Sequence, residues 1–389
     1  MTKKIDFIFL SNSSWYVWNF RRNLINELLK NKYTILVIAP WDSYTDLIIK
    51  KGCKYINWNL KRSSINPINE IISIIDIYKI YKEYKPRVIH QFTIKSCFYG
   101  SLMARIINKS YVVNSITGLG HIFLTKNLKN YFLKKLSLPF YKFALSYKNS
   151  ILIFQNQSDL KIYKNLSLIK ENNNKVIKGS GVNTNYFSKE KKIKKVFKEP
   201  IILFPARIIK EKGTVELLKA CSNLWNNKKF FKLKIVGKFD KGNRSFLTKK
   251  EIYSLISHPN RVDFLGHISN MREIYLNSDI VVLPSWREGI SMSLLEAGSM
   301  ECPIITTNVP GCRDIVEHGI SGLLVPKKDP ISLELAIDFL IKNRTFGKSL
   351  GKNLRKRIIK EFDQEVVIKQ TMEIYKKGIL LNEKSRINN

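Results

Sequence analysis

Two carboxylates and two cations in the second half of the chain have the types and spacing for chemistry on a phosphorylated substrate. Glu288 and Glu296 stand eight positions apart in REGISMSLLEAGSMECPIITTNVPGCRDIVEHGISGLLVP, Arg287 to Pro326. A hydrophobic run, Ile280 to Leu283, leads in, Pro284 and Ser285 break it, and Gly289 opens a turn. Ser291 to Met300 then reads as a helix. The start of such a helix offers unpaired backbone amides to an anion, here around Gly289, Ile290 and Ser291. One carboxylate precedes the helix and the other lies inside it. The plainer reading is an ordinary strand, turn and helix with Glu296 on a solvated face.

Arg207 and Lys212 lie five apart in ILFPARIIKEKGTVELLKA, Ile202 to Ala220, with Gly213 behind them. This segment follows a strand and leads into a helix. Arg offers a planar fork and Lys a point charge, so the pair can neutralise a diphosphate. The plainer alternative is a solvated basic loop in a lysine-rich chain. Taken together, the four side chains suit a negatively charged leaving group beside hydroxyls that need acceptors. A nucleotide-sugar meets both demands.

The elements that must position these residues alternate short apolar runs with amphipathic helical stretches, the pattern of parallel α/β layers. In the first half, strands are expected at Ile5–Leu10, Thr34–Ala39, Val88–Gln91, Tyr111–Ile116 and Ile151–Gln155. Helical periodicity is clearest over Pro67–Tyr84 and Lys126–Lys148. A charged stretch, Ser188–Pro200, reads as an interdomain linker. The pattern then restarts with strands at Ile201–Phe204, Leu233–Val236, Val262–Phe264, Ile280–Leu283, Ile304–Thr306 and Leu323–Val325. Two domains are expected, at residues 1–190 and 196–363. The fold class is α/β, with two doubly wound, Rossmann-like domains facing each other across a cleft.

The string from Arg287 to Pro326 resembles the C-terminal domain of GT-B glycosyltransferases, and within them the large retaining family with the E-x7-E signature (group 1, family 4). The resemblance implies that Glu288 contacts the donor sugar and Glu296 the ribose hydroxyls. It also implies that Arg207 and Lys212 hold the donor diphosphate, and that the last helix (about 364–389) packs back on the first domain. Val262–Gly266, VDFLG, is similar to the family's strand and turn near the nucleotide base, which brings Gly266 into the donor site.

In the first domain, SNSSWYVWNFRRNL follows the first strand. Many relatives place two glycines there, close to the diphosphate. This chain has Ser13 and Ser14, whose hydroxyls could contact phosphate. Trp15, Trp18 and Phe20 are either core or sugar-stacking platforms. NSITGLGHIF (Asn114–Phe123), GSGVNTNYF (Gly179–Phe187) and VPGCRDIV (Val309–Val316) are similar to enzymes that extend undecaprenyl-diphosphate-linked sugars in bacterial surface polysaccharide and glycoprotein assembly. Among these are N-acetylgalactosaminyl- and hexosyltransferases. His121 and His90 both fall at expected strand ends; the resemblance favours His121 as the histidine that contacts the donor sugar. Relatives carry glycine where this chain has Glu301, at a helix end that takes a left-handed conformation. Glu there costs about 1 kcal/mol, so the helix end is expected to differ.

Composition sets the outer limits. The 389 residues are enough for two cores, and 44% hydrophobic residues fit a globular chain. The formal charge is +36 and unevenly placed. Residues 1–195 hold 34 Lys+Arg against 10 Asp+Glu, and no acid occurs between Tyr84 and Ser158. Codon usage and an anionic partner are both possible sources. Leu124–Ser150 carries Lys126, Lys129, Lys134 and Lys135 interleaved with aromatics. It reads either as a helix lying on the anionic inner face of the cytoplasmic membrane or as a core-facing helix with solvated lysines. Five scattered cysteines without a C-x-x-C pair favour reduced thiols in the cytoplasm, and MTKK running straight into a strand reads as no signal peptide. No D-x-D and no histidine cluster occur, so neither a metal nor a cofactor is expected.

The reading is therefore a metal-independent transferase of a hexose or N-acetylhexosamine. Its donor is a UDP-sugar and its acceptor a lipid-linked saccharide at the membrane. A sugar-nucleotide epimerase on the same scaffold is the alternative enzyme. Charge alone would suggest nucleic-acid binding, but no recognition module is present, so no specific nucleic acid is expected.

Overall fold

The computed structural model describes residues 5–60, 66–108, 110–118, 128–169, 172–189, 199–240, 242–243 and 245–387. The chain divides into two compact units, one of Met1–Ser180 with Val367–Asn389 and one of Gly181–Val366. The division falls ahead of the charged stretch. Residues 181–189 pack on the second unit: the Val182 amide donates to Phe362 O at 2.9 Å, and the Ser299 hydroxyl donates to Phe187 O at 2.7 Å.

Unit 1 is built on seven parallel strands: β1 (Phe7–Leu10), β2 (Ile35–Ala39), β3 (Lys54–Asn57), β4 (Val88–Phe92), β5 (Tyr111–Ile116), β6 (Ser150–Phe154) and β7 (Asn174–Val176). Their order is β3-β2-β1-β4-β5-β6-β7. Alternation along β1 sets the two faces of the sheet. Phe7 and Phe9 join a core under the helices Ser14–Lys30 and Gln364–Ile387, while Ile8 and Leu10 join another under Pro67–Tyr84 and Ile94–Ile107. The helix at 67–84 starts where Asn66 caps the Ile68 amide ahead of Pro67 and stops at Lys85 in the left-handed conformation.

Strands β3 and β7 have no counterpart among the expected strands. Both are sheet edges with polar sequences, KYIN and NKV, and neither contains a fully buried residue. An edge strand need not be apolar on both faces, so it lacks the continuous hydrophobic run that marks the inner strands.

Unit 2 repeats the plan with β8 (Ile201–Phe204), β9 (Lys232–Val236), β10 (Val262–Gly266), β11 (Ile280–Leu283), β12 (Ile304–Thr307) and β13 (Leu323–Val325), all parallel. The order is β10-β9-β8-β11-β12-β13. Strand order reverses between β8 and β11, and between β1 and β4 in unit 1. Such reversals open a crevice at the strands' C-terminal ends, the usual ligand position of doubly wound sheets.

Candidate active site

The reversal in the second sheet brings together the two loops singled out by residue type. The loop after β8 carries Arg207 and Lys212, and the loop after β11 carries Ser285 to Ser291. Lys212 Nζ lies 2.5 Å from Glu288 Oε1, and the Ser285 hydroxyl donates to the same oxygen at 2.7 Å. Both side chains are largely enclosed, at 21% and 10% exposure, so the pair is poorly screened by solvent.

Several contacts hold the loops in register. The Trp286 amide donates to Glu211 O at 2.9 Å, and its indole to Glu216 Oε1 at 3.0 Å. The Thr307 hydroxyl donates to Ser285 O from β12. Gly213 takes φ +78, and a Cβ there would sit 2.1 Å from Pro284 O. A Cβ on Gly311, φ +82, would sit 1.9 Å from Gly289 O. Only glycine allows these backbones to approach so closely.

Ser291 is the buried N-cap of the helix Met292–Ser299, and its side chain bonds Ser293 Oγ at 3.2 Å rather than a helix amide. The first amides of the helix are therefore left without a side-chain cap. Glu296 points from this helix toward Tyr275, whose hydroxyl donates to Oε2 at 3.1 Å. Burial dominates its chemistry: loss of solvation raises the carboxyl to about 7, with the tyrosine hydrogen bond pulling the other way. A carboxyl that titrates near neutrality is suited to exchanging hydrogen bonds with hydroxyls. Arg207 stands apart from the Lys212–Glu288 pair. It meets Asp240 at 2.5 Å with half its side chain exposed, a weakly held arrangement that leaves the guanidinium available to an incoming anion. Ile290 packs against the core edge, and Gly266 ends β10 with φ +66.

These residues lie at the strand-order reversal of a doubly wound sheet, and the comparisons with known proteins say which fold family shares it. Residues 185–360 match the family model Glycosyl transferases group 1, and residues 7–156 match Glycosyl transferase 4-like. The chain is a glycosyltransferase. It is 28% identical over 381 residues to N,N'-diacetylbacillosaminyl-diphospho-undecaprenol alpha-1,3-N-acetylgalactosaminyltransferase of Campylobacter jejuni, covering 95% of this chain and 98% of that protein. A glycosyltransferase of Rickettsia africae superposes with a TM-score of 0.77 at 20% identity, over 97% of this chain and 99% of its own. Anabaena HepE, solved with UDP and glucose, superposes with 0.75 at 18% identity, over 95% and 99%.

In unit 1 of the glycosyltransferase, the two serines after β1 are occupied elsewhere. Ser13 caps the helix 14–30, accepting from the Tyr16 amide at 3.2 Å. Ser14 is fully buried. Its hydroxyl donates to Pro40 O and accepts from Thr45, both at 3.2 Å, and lies 2.9 Å from Tyr55 Oη. Ser14 is thus a structural residue, which removes it from the phosphate contacts expected of it. His90 is buried as well, bonded through Nδ1 to Tyr375 of the C-terminal helix and through Nε2 to Ser115 Oγ at 2.7 Å. Burial holds it neutral, well below the ordinary histidine range.

Trp15 is 44% exposed and stacks edge-on to Phe20 at 5.4 Å, whereas Trp18 packs against the core. His121 and Lys126 lie outside the described residues. Lys129, Lys134 and Lys135 fall on the helix Leu128–Leu145, where Lys135 is exposed.

Sequence reasoning missed Ser285, Asp240 and Tyr275. Ser285, named above only as a strand breaker, could have been found as the first hydroxyl after the strand at the reversal. Tyr275 sits 21 positions before Glu296, with no local pattern that links them.

Proposed function

We propose that this glycosyltransferase moves a hexose or N-acetylhexosamine, with retention of configuration, from a UDP-sugar to an undecaprenyl-diphosphate-linked saccharide. The observation that carries the reading is the Lys212–Glu288–Ser285 cluster at the strand-order reversal, next to uncapped helix amides. Arg207, Lys212 and those amides take up the charge that develops on the departing diphosphate, without metal or cofactor. Preorganised charge of this kind is often the largest catalytic contribution. Glu288, already held by a lysine and a serine, accepts from a hydroxyl of the donor sugar, and Glu296 accepts from the ribose. The acceptor class is supported by the near full-length similarity to the Campylobacter enzyme, which acts on an undecaprenol-linked sugar.

A lipid-linked acceptor places the reaction at an anionic membrane surface, and unit 1 has a face suited to it. The helices 67–84, 94–107 and 128–145 pack side by side. Their outer surface exposes Ile68, Ile71, Ile72 and Ile75 on successive turns, together with Ile106, Phe140 and Phe143. Exposed Lys79, Lys82, Lys135 and Lys142 stand among them. Exposed apolar side chains and lysines on adjoining helices, with Glu83 the one exposed acid among the described residues of these three helices, suit the interface of an anionic bilayer. No helix among the described residues is long and apolar enough to cross a membrane.

The test is transfer of labelled sugar from UDP donors to synthetic undecaprenyl-diphosphate saccharides, read as label in the organic phase. Label that stays aqueous with every donor and acceptor overturns the substrate reading. Flotation with vesicles containing phosphatidylglycerol, comparing wild type with Ile68→Asp/Ile72→Asp, tests the membrane face separately. Equal flotation of both proteins rules that face out.

A further inference from the structure

Arg21 occupies a core position. It lies on the buried stripe of the helix 14–30 with Ser14, Val17, Leu24, Ile25 and Leu28, and is 6% exposed. Nη2 donates to Tyr16 Oη at 2.9 Å, and the guanidinium lies 4.8 Å from the centre of the Phe92 ring. Nε is buried with no hydrogen-bond partner. Among the described residues, no carboxylate stands within ion-pair distance of it.

A buried lysine or histidine can escape its desolvation cost by losing a proton. A guanidinium cannot, so it requires a compensating negative charge. The aromatic faces of Phe92 and Tyr16 offset only part of that cost. His90, on the same cavity, is held neutral by its own burial and secondarily by the charge on Arg21. No acid occurs in the sequence between Tyr84 and Ser158, the segment that supplies β4, β5 and β6.

Arg21 lines a cavity with His90, Ser115, Gln155, Gly179 and Thr371, and the space holds one water-sized occupant. We propose that this cavity binds a single small inorganic anion of chloride size, held by Arg21 Nε and the Gln155 side-chain amide. A water molecule would satisfy the hydrogen bond but leave the charge uncompensated. A diphosphate does not fit. The bound anion ties the helix 14–30 to the end of β6 beneath the C-terminal helix, whose Thr371 lines the cavity while its own hydroxyl donates to Val367 O at 2.8 Å. This site is independent of the donor chemistry proposed above.

The test uses the full-length protein at constant ionic strength, replacing methanesulfonate, which is too large for the cavity, with bromide. Wild type and Arg22→Met, a change of the exposed neighbouring arginine, should both show a saturable rise in Tm of a few degrees. Gln155→Leu should show a smaller rise and Arg21→Met none. An equal rise in Arg21→Met, or no rise in wild type, overturns the proposal. Should Arg21→Met fail to fold, anomalous diffraction from wild-type crystals in bromide decides: a peak against Arg21 Nε supports the site, and a water there overturns it.

Discussion

Lys212 and Glu288 form an ion pair across the reversal of strand order in the second sheet, joining the loop after β8 to the loop after β11. The lysine is thereby held where a phosphate can approach without first having to be ordered. Lys212→Ala is expected to lower kcat by about 100-fold or more, the usual effect of losing one preorganised donor, and to leave the acceptor KM near wild type. Steady-state kinetics with varied acceptor check this, and near-normal turnover would remove Lys212 from the site.

Glu296 gives a pH signature. Its carboxyl is raised from the ordinary 4.5 to about 7, so the folded protein binds this proton more tightly than the unfolded chain. Stability contributed by the protonated form is full below about 4.5 and is lost as pH rises toward 7. Thermal melts of the ligand-free protein across this window should show that loss, and Glu296→Gln should flatten it. An unchanged profile in Glu296→Gln would mean that another group is responsible. Nucleotide affinity should strengthen over the same rise in pH in wild type, because the ionised carboxylate is the better acceptor for hydroxyls.

Gly213 of the loop after β8 backs directly onto Pro284 of the loop after β11. Gly213→Ala drives a Cβ into Pro284 O and forces alanine to φ +78. Overpacking of this kind costs roughly 1–3 kcal/mol. The variant should remain folded by circular dichroism, with a reduced denaturation midpoint and donor binding weakened by at least tenfold. Unaltered donor affinity would show that loop spacing is not critical.

The helix after Glu288 ends as a glycine-terminated helix would, although it has no glycine there. Glu301 adopts φ +55, its amide donates to Gly298 O and the Cys302 amide to Ala297 O, both at 3.0 Å. The expectation that the helix end would differ is corrected. Burial of Cys302 and the neighbouring strand β12 outweigh a local strain of about 1 kcal/mol, so the placement of Glu296 is undisturbed. Glu301→Gly should raise unfolding stability by about 1 kcal/mol in urea titration; a destabilised variant would contradict the strain.

What could be read ahead of the structure follows from local physics. Most inner strands of both sheets announce themselves because both of their faces are buried, whereas β9 does so through Leu233, Ile235 and Val236 alone. The helix at 67–84 does so through its helical periodicity, and the structure adds the Asn66 cap that starts it. Glu288, Lys212 and Arg207 are legible because loops after strands carry their charges in fixed short spacings. The roles of Ser14 and His90 were not legible, since a serine after a strand looks alike whether it meets phosphate or, as here, Pro40, Thr45 and Tyr55. The pairing of His90 with Tyr375, 285 positions away, depends on the C-terminal helix returning to unit 1.

The most direct test of the central claim is UDP release from a panel of UDP-hexoses and UDP-N-acetylhexosamines, with and without short-chain polyprenyl-diphosphate saccharides. The account predicts release from one donor only when the lipid-linked acceptor is present, abolished or nearly so in Lys212→Ala. Release that ignores the acceptor, or none with any pairing, would contradict transfer to a lipid-linked sugar and direct attention to epimerisation of a sugar nucleotide instead.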